Sequence, residues 1–170
     1  MLDNLKKYRI ILASNSPRRK ELMTGLGVEY IVKTLPDVDE SYPSTLCGEE
    51  IPIYISKKKA AAYLFSIQPD ELIITADTIV WLDGKVYGKP ENEEQAHRML
   101  RELSGKTHQV ITGVTLSTKT FQKSFAVTSH VTFSPLTDEE IEYYVAHYRP
   151  LDKAGAYGVD WLYWSTTIGR

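Results

Sequence analysis

Strand and helix signals alternate along this 170-residue chain, and that alternation constrains its fold more than any other feature. "YRIILAS" reads as a short buried strand. A helix follows over residues 17–25 and closes near Gly25–Gly27. "VEYIVKTL" is rich in β-formers and predicts a second strand. The Pro, Asp and Ser content of residues 36–48 makes them a loop. Residues 49–66 predict a long helix, with Pro52 tolerated in its first turn. "ELIITADTIVWLDGKVYG" reads as a strand, an Asp83–Gly84 turn and a return strand. Residues 91–104 form an amphipathic helical pattern with Gly105 beyond its end. "HQVITGVTLSTKTFQKSFAVTSHVTFSPL" predicts two or three antiparallel strands, and Thr137 caps a helix over "DEEIEYYVAHY". The expected class is α/β: a mixed, twisted sheet with flanking helices.

The length suits one domain with a real core and is short for two. Hydrophobic residues at 42% and charged residues at 25% are the balance of a soluble globular protein. A net charge of -2 argues against a nucleic-acid partner, so any cationic site must be a local cluster. Cys47 is the single cysteine. It allows no internal disulfide and fits a reducing cytoplasm. "MLDNLKKYRI" does not read as a secretory signal, and no run reaches the roughly 20 apolar residues of a membrane helix. A membrane partner is not expected.

One helix start breaks a physical rule. In "SNSPRRKEL" Ser16 is a good N-cap and Pro17 suits the first helical position. Arg18, Arg19 and Lys20 then crowd the end whose partial positive charge favours acids. The helices starting near Glu91 and Asp138 obey the rule. A local rule broken once tends to mark a functional site. Outward N–H groups after a strand and a tight turn bind anions, and paired arginine donors match phosphate. The other reading keeps the arginines solvated and partly neutralised by Glu21. No GxxxxGK[ST] is present, so this is not a P-loop.

Asp77 lies inside "LIITADTIVWL". A carboxylate there is costly unless paired, protonated or bound to metal, although strand-end aspartates also hold backbone N–H groups. Thr78 follows on the opposite face, where packing alone would account for it. Lys57, Lys58 and Lys59 span about 200° of a helix, so they cannot share one face. The stretch itself does not say which one points elsewhere. Lys89, held extended by Pro90, reads equally as a surface lysine. Asp37, Asp39 and Glu40 form an acidic loop: a place for Mg²⁺ or Mn²⁺ beside a phosphate, or a solvated segment. His97, His108, His130 and His147 have no metal-ligand spacing. No Ser–His–Asp order stands out, and Cys47 has no cationic or histidine neighbour in sequence.

Taken in order, these pieces resemble the Maf-like nucleoside triphosphate pyrophosphatases, relatives of inosine triphosphate pyrophosphatase. The matching motifs are "LASNSPRRKEL", "DES" at 39–41, "KKKA" at 57–60, "ITADTIV", "GKP" at 88–90, "ML..LSG.TH.V.TGV" across 99–114, and "LDKAGAYG" at 151–158. The resemblance implies hydrolysis of a nucleoside triphosphate to the monophosphate and pyrophosphate. It makes Asp77 the general base, acting with a divalent metal, Mg²⁺ or Mn²⁺, held by Glu40 and Asp77. Ser14, Ser16, Arg18, Arg19, Lys59, Thr78, Lys89 and Lys153 fall on substrate-binding motif positions. Lys59 is thereby preferred among its run. Arg18 and Thr78 fit the members that prefer dTTP and UTP, and modified pyrimidine nucleotides are equally plausible substrates. The resemblance also suggests a homodimer.

After "AYGV" the family usually has Gln; this chain has Asp160 and then "WLYWSTTIGR". The family's terminal strand and helix are expected to be missing from a single Maf-like domain over residues 1–170. A frameshift would explain this. One coding of Asp160–Ser165, GATTGGCTATATTGGAGC, reads Ile-Gly-Tyr-Ile-Gly one base later. Loss of a terminal strand and helix removes core surface, which Trp161, Tyr163 and Trp164 would either cover in part or leave as a sticky apolar patch. An alternative function follows: a catalytically impaired, nucleotide-binding regulator of cell division and septum formation. A generic phosphate-binding domain is a third reading.

Overall fold

The computed structural model describes residues 3–36 and 38–158. Asp37 and the segment from Asp160 to Ser165, with its expected loss of a strand and helix, lie outside the described residues. The strands are β1 (Arg9–Leu12), β2 (Tyr30–Val32), β3 (Glu71–Leu82), β4 (Lys85–Tyr87), β5 (Thr107–Ser117) and β6 (Gln122–Thr132). The helices are α1 (Pro17–Gly25), α2 (Glu50–Ala61), α3 (Glu93–Leu103) and α4 (Asp138–Tyr148). Sheet order is β2-β1-β3-β5-β6, with β4 pairing β3. β1 runs parallel to both β2 and β3, whereas β3 and β4 are antiparallel, so the sheet is mixed as expected. No helix of the described residues is long and apolar enough to cross a membrane.

The chain groups into two compact units. The first comprises residues 1–77 and 112–127, the second 78–111 and 128–170. In the first unit β1 is covered on both faces. Ile10 and Leu12 pack with Met23 of α1, and Ile11 packs on the other side with Tyr63, Ile67 and Ile73. Burial on both faces is why Ile10, Ile11 and Leu12 form an unbroken apolar run, as strands of a parallel sheet do. The register Leu12↔Ile74 places Asp77 three residues beyond the last β1 pair.

The long helix predicted over 49–66 ends at Ala61. Beyond it the chain winds in three-residue turns, Tyr63 N–H to Ala60 C=O and Leu64 N–H to Ala61 C=O. Tyr63 explains the change. Its ring is 3% exposed, and its hydroxyl donates to the Lys33 carbonyl while accepting from the Leu35 amide. Those tertiary bonds outweigh continued helix.

In the second unit the Asp83–Gly84 turn forms as predicted, with φ of 50° and 81° at its two central residues. Two consecutive positive φ values match the right-handed twist of a hairpin. Thr137 and Glu140 form the full capping box of α4. The helix predicted to begin near Glu91 starts two residues later at Glu93, because the Asn92 side chain caps the Gln95 amide. The core joins Val80, Leu82 and Tyr87 to Leu100, Leu103, Ile141 and Val145.

His108 sits in that unit's core, 1% exposed. Its Nε2 meets the Tyr157 hydroxyl at 2.6 Å, and the Phe133 ring stands edge-on to it. Its Nδ1 has no partner among the described residues. Burial pushes the ring's pKa down from 6.5 to about 4. The unfolded chain therefore binds the extra proton first, and stability falls as pH drops from about 6.5 to about 4. The full loss is about 3 kcal/mol. Urea unfolding across this window is expected to show a shallower acid slope for His108→Phe than for the wild type; equal slopes would assign the acid loss to other groups.

Candidate active site

The first unit builds a charged cluster where β1 ends and α1 begins. Leaving β1, the Ala13 amide still donates to the Ile74 carbonyl at 2.9 Å. The chain then turns at Ser14, which is 8% exposed and whose Oγ accepts the Ser16 amide at 3.2 Å. Ser16 occupies the N-cap position, but its side chain makes no capping hydrogen bond. The serine was expected to cap α1; its neighbour Ser14 instead takes an amide from the turn. Amides of the first turn of α1 lack intrahelical partners, as at any helix start.

The misplaced cations separate in the fold. Arg18 is exposed, with no ion pair to the described residues. Arg19 folds back: its Nη1 donates to the Ala76 carbonyl at 2.9 Å and to Ser14 Oγ at 3.3 Å. That brings the guanidinium to the residue before Asp77. Burial lowers the Arg19 pKa, while the charges of Asp77 and Glu40 oppose the change. A guanidinium stays cationic at any working pH, so Arg19 is a fixed charge here.

Lys59 is the centre of the cluster. Its Nζ lies 2.8 Å from Asp77 Oδ1 and 2.9 Å from Glu40 Oε1. The Lys59 and Asp77 side chains are 17% and 12% exposed, whereas Glu40 is 54% exposed. One ammonium thus ties a buried strand carboxylate to a loop carboxylate. The lysine left undetermined by helical spacing is Lys59. Lys57 is exposed, and Lys58 turns to Asp39. Both Lys58 and Lys59 lie in the last turn of α2, where the helix dipole favours cations.

Buried hydroxyls set the position of α2 against β3. The Thr75 hydroxyl donates to the Ser56 carbonyl at 2.7 Å, and the Ser56 and Thr115 hydroxyls meet at 2.8 Å. All three residues are fully buried. Thr75 precedes Asp77 by two residues on the same strand face, and Ser56 precedes Lys59 by three on α2. A buried polar group must keep its partner, so this network fixes the register that brings Lys59 to Asp77. These three residues carried no signal in the sequence, where they read as ordinary small polar residues. Gly113 makes the same approach possible, since a Cβ there would lie 2.3 Å from the Pro52 carbonyl carbon.

The second unit carries Thr78, Lys89 and Lys153. Thr78 is half-buried, and Lys89 and Lys153 are exposed. Lys153 pairs with Asp152 at 2.8 Å. The Gly155 amide donates to the Gly88 carbonyl at 3.0 Å, which joins the "GKP" and "DKAGA" segments and so the neighbourhoods of the two lysines.

The cluster's donor set is two carboxylates. Among the described residues no group of three or more His, Cys, Asp or Glu could hold a metal. Two carboxylate oxygens fit a hard divalent cation that completes its shell with phosphate oxygens and water.

Comparison with known proteins agrees with the motifs. Residues 9–169 match the family described as Maf-like protein, a span that runs past the last motif quoted above. A dTTP/UTP pyrophosphatase of Bacteroides thetaiotaomicron is 68% identical over 163 residues, covering 95% of this chain and 84% of that protein. A dTTP/UTP pyrophosphatase of Porphyromonas gingivalis is 52% identical over 165 residues, covering 95% and 83%. A solved HAM1 protein from Coxiella burnetii is 16% identical with a TM-score of 0.49, over 74% of this chain and 72% of that one. The matched span and the two close relatives settle the assignment: the chain belongs to the Maf-like protein family.

Proposed function

We propose that this chain hydrolyses nucleoside triphosphates, with dTTP, UTP or modified pyrimidine nucleotides as substrates, to the monophosphate and pyrophosphate. The observation that carries the reading is Lys59 bridging Asp77 and Glu40 beside the inward-turned Arg19. High identity to proteins named dTTP/UTP pyrophosphatase supports the substrate class.

A triphosphate brings about four negative charges, and crowding them needs fixed cations. Arg19 and Lys59 supply two in the first unit. In the same unit Arg18 is a further exposed cation, with Ser14 and Ser16 as hydrogen-bonding groups; Thr78, Lys89 and Lys153, on the second unit, are proposed as substrate-binding on their motif positions alone. Glu40 and Asp77 would hold Mg²⁺ or Mn²⁺, which when bound offsets phosphate charge and eases ionisation of water. Asp77 takes the proton of the attacking water at a carboxylate oxygen. Water oxygen bonds to the α-phosphorus, the bond to the α,β-bridging oxygen breaks, and pyrophosphate leaves with the electron pair. Lys59 holds Asp77 aimed until substrate draws the ammonium away.

A pyrophosphate-release assay over the common and modified nucleoside triphosphates, with Mg²⁺ or Mn²⁺, tests the reading. Release from dTTP or UTP well above release from purine nucleotides is the expected result. Binding without release would favour the nucleotide-binding regulator, and neither would point to another phosphate ligand. A homodimer and a cytoplasmic setting belong to the same proposal. Sedimentation tests the homodimer.

A further inference from the structure

We propose that Lys58 is a positioning residue of this site: it fastens the 38–46 loop to α2 and so holds Glu40 against Lys59. The three protons of the Lys58 ammonium have three acceptors: Asp39 Oδ2, the Ser41 carbonyl at 3.0 Å and Ser41 Oγ at 3.1 Å. Asp39 is itself tied into the loop, accepting the Ser41 amide and hydroxyl at 2.8 Å each. Neighbouring lysines of α2 thus take neighbouring acids of the loop, Lys58 with Asp39 and Lys59 with Glu40.

Residues 39–45 are all exposed, so no buried apolar side chain anchors them. The Leu46 amide bonds to Pro43 within the loop itself. Lys58 and Lys59 bond the 38–46 loop to α2, and the Arg19 guanidinium feels the Glu40 charge. The Lys59 bond is the one a triphosphate would compete for. Lys58 meets the loop away from Asp77 and keeps its three acceptors when Lys59 turns to substrate. Without Lys58 the loop would regain its conformational freedom, and Glu40 would have to be ordered at each turnover.

The effect on turnover rests on the hydrolase reading above; the fastening of the loop does not. The test uses the full chain and Lys58→Met, which keeps the aliphatic stem, with Lys58→Arg as the conservative variant and Lys57→Met as control. Amide hydrogen exchange over 39–46, kcat and KM for UTP with Mg²⁺, and melting temperature are measured. In Lys58→Met, exchange at the Ser41 amide rises and kcat/KM falls, each about tenfold, with the melting temperature within about 2 °C of wild type. Lys58→Arg recovers most of both, and Lys57→Met matches wild type. Glu40→Gln costs less on the Lys58→Met background than alone, because the two act through one loop. Unchanged exchange in Lys58→Met overturns the fastening. Faster exchange with unchanged kcat/KM in an active enzyme overturns the positioning role. Should Lys58→Met not fold, Asp39→Asn removes the same charge pair from the loop side and is read by the same criteria. A wild-type chain that releases no pyrophosphate overturns the hydrolase reading, and the exchange measurement then decides the fastening by itself.

Discussion

Asp77→Asn is expected to lower kcat for pyrophosphate release by about a thousandfold, the scale of a lost general base. The fold should survive. Asparagine keeps the shape, and Lys59 retains Glu40 at 2.9 Å, so no buried charge is stranded. Partial exposure of Lys59 limits the stability change to about 1 kcal/mol. Steady-state kinetics with a melting curve check both halves. A variant that turns over within tenfold of wild type would remove Asp77 from the chemistry.

Gly113→Ala has the second largest expected effect, and it acts through the backbone. The added Cβ would meet Pro52 C, Pro52 O and Ile53 N at 2.3, 2.4 and 2.5 Å. None of these is the tip of a flexible side chain, so the first turn of α2 must move. Overpacking of this kind costs about 3 kcal/mol. For a chain this long that lowers Tm by roughly 6–12 °C. Lys59 lies seven residues along α2 from Pro52, so displacement of the helix start also moves the ammonium against Asp77. Activity should therefore fall at temperatures where the variant remains folded. Gly25→Ala is the control: a Cβ there meets nothing within 4 Å and leaves Tm unchanged or slightly raised. Equal Tm values for Gly113→Ala and wild type would mean that α2 adjusts freely.

The candidate site was legible where its chemistry is local. Arginines at a positive helix end and an aspartate inside an apolar strand each break a short-range rule that a sequence states openly. Ser56, Thr75 and Thr115 break none, because a small polar residue becomes costly only once burial is known, and burial is a tertiary property. Lys58 was hidden differently. Next to Lys59 in one run, it reads as a solvated neighbour until the loop carrying Asp39 is placed beside it.

The sequence by itself determined the order of strands and helices, the Asp83–Gly84 turn and the capping box at Thr137. Each depends on dihedral preference and hydrogen bonds within a few residues. It also carried the family motifs, and with them Asp77. Tertiary structure decided where α2 stops, because Tyr63 bonds to residues about thirty positions earlier. It separated the two arginines of "SPRRK" into one exposed and one inward, since that depends on where the Ala76 carbonyl ends up. It decided as well that adjacent lysines serve different carboxylates. Helical spacing sets only the angle between their side chains, and the partners come from segments about twenty residues away in sequence that folding brings alongside.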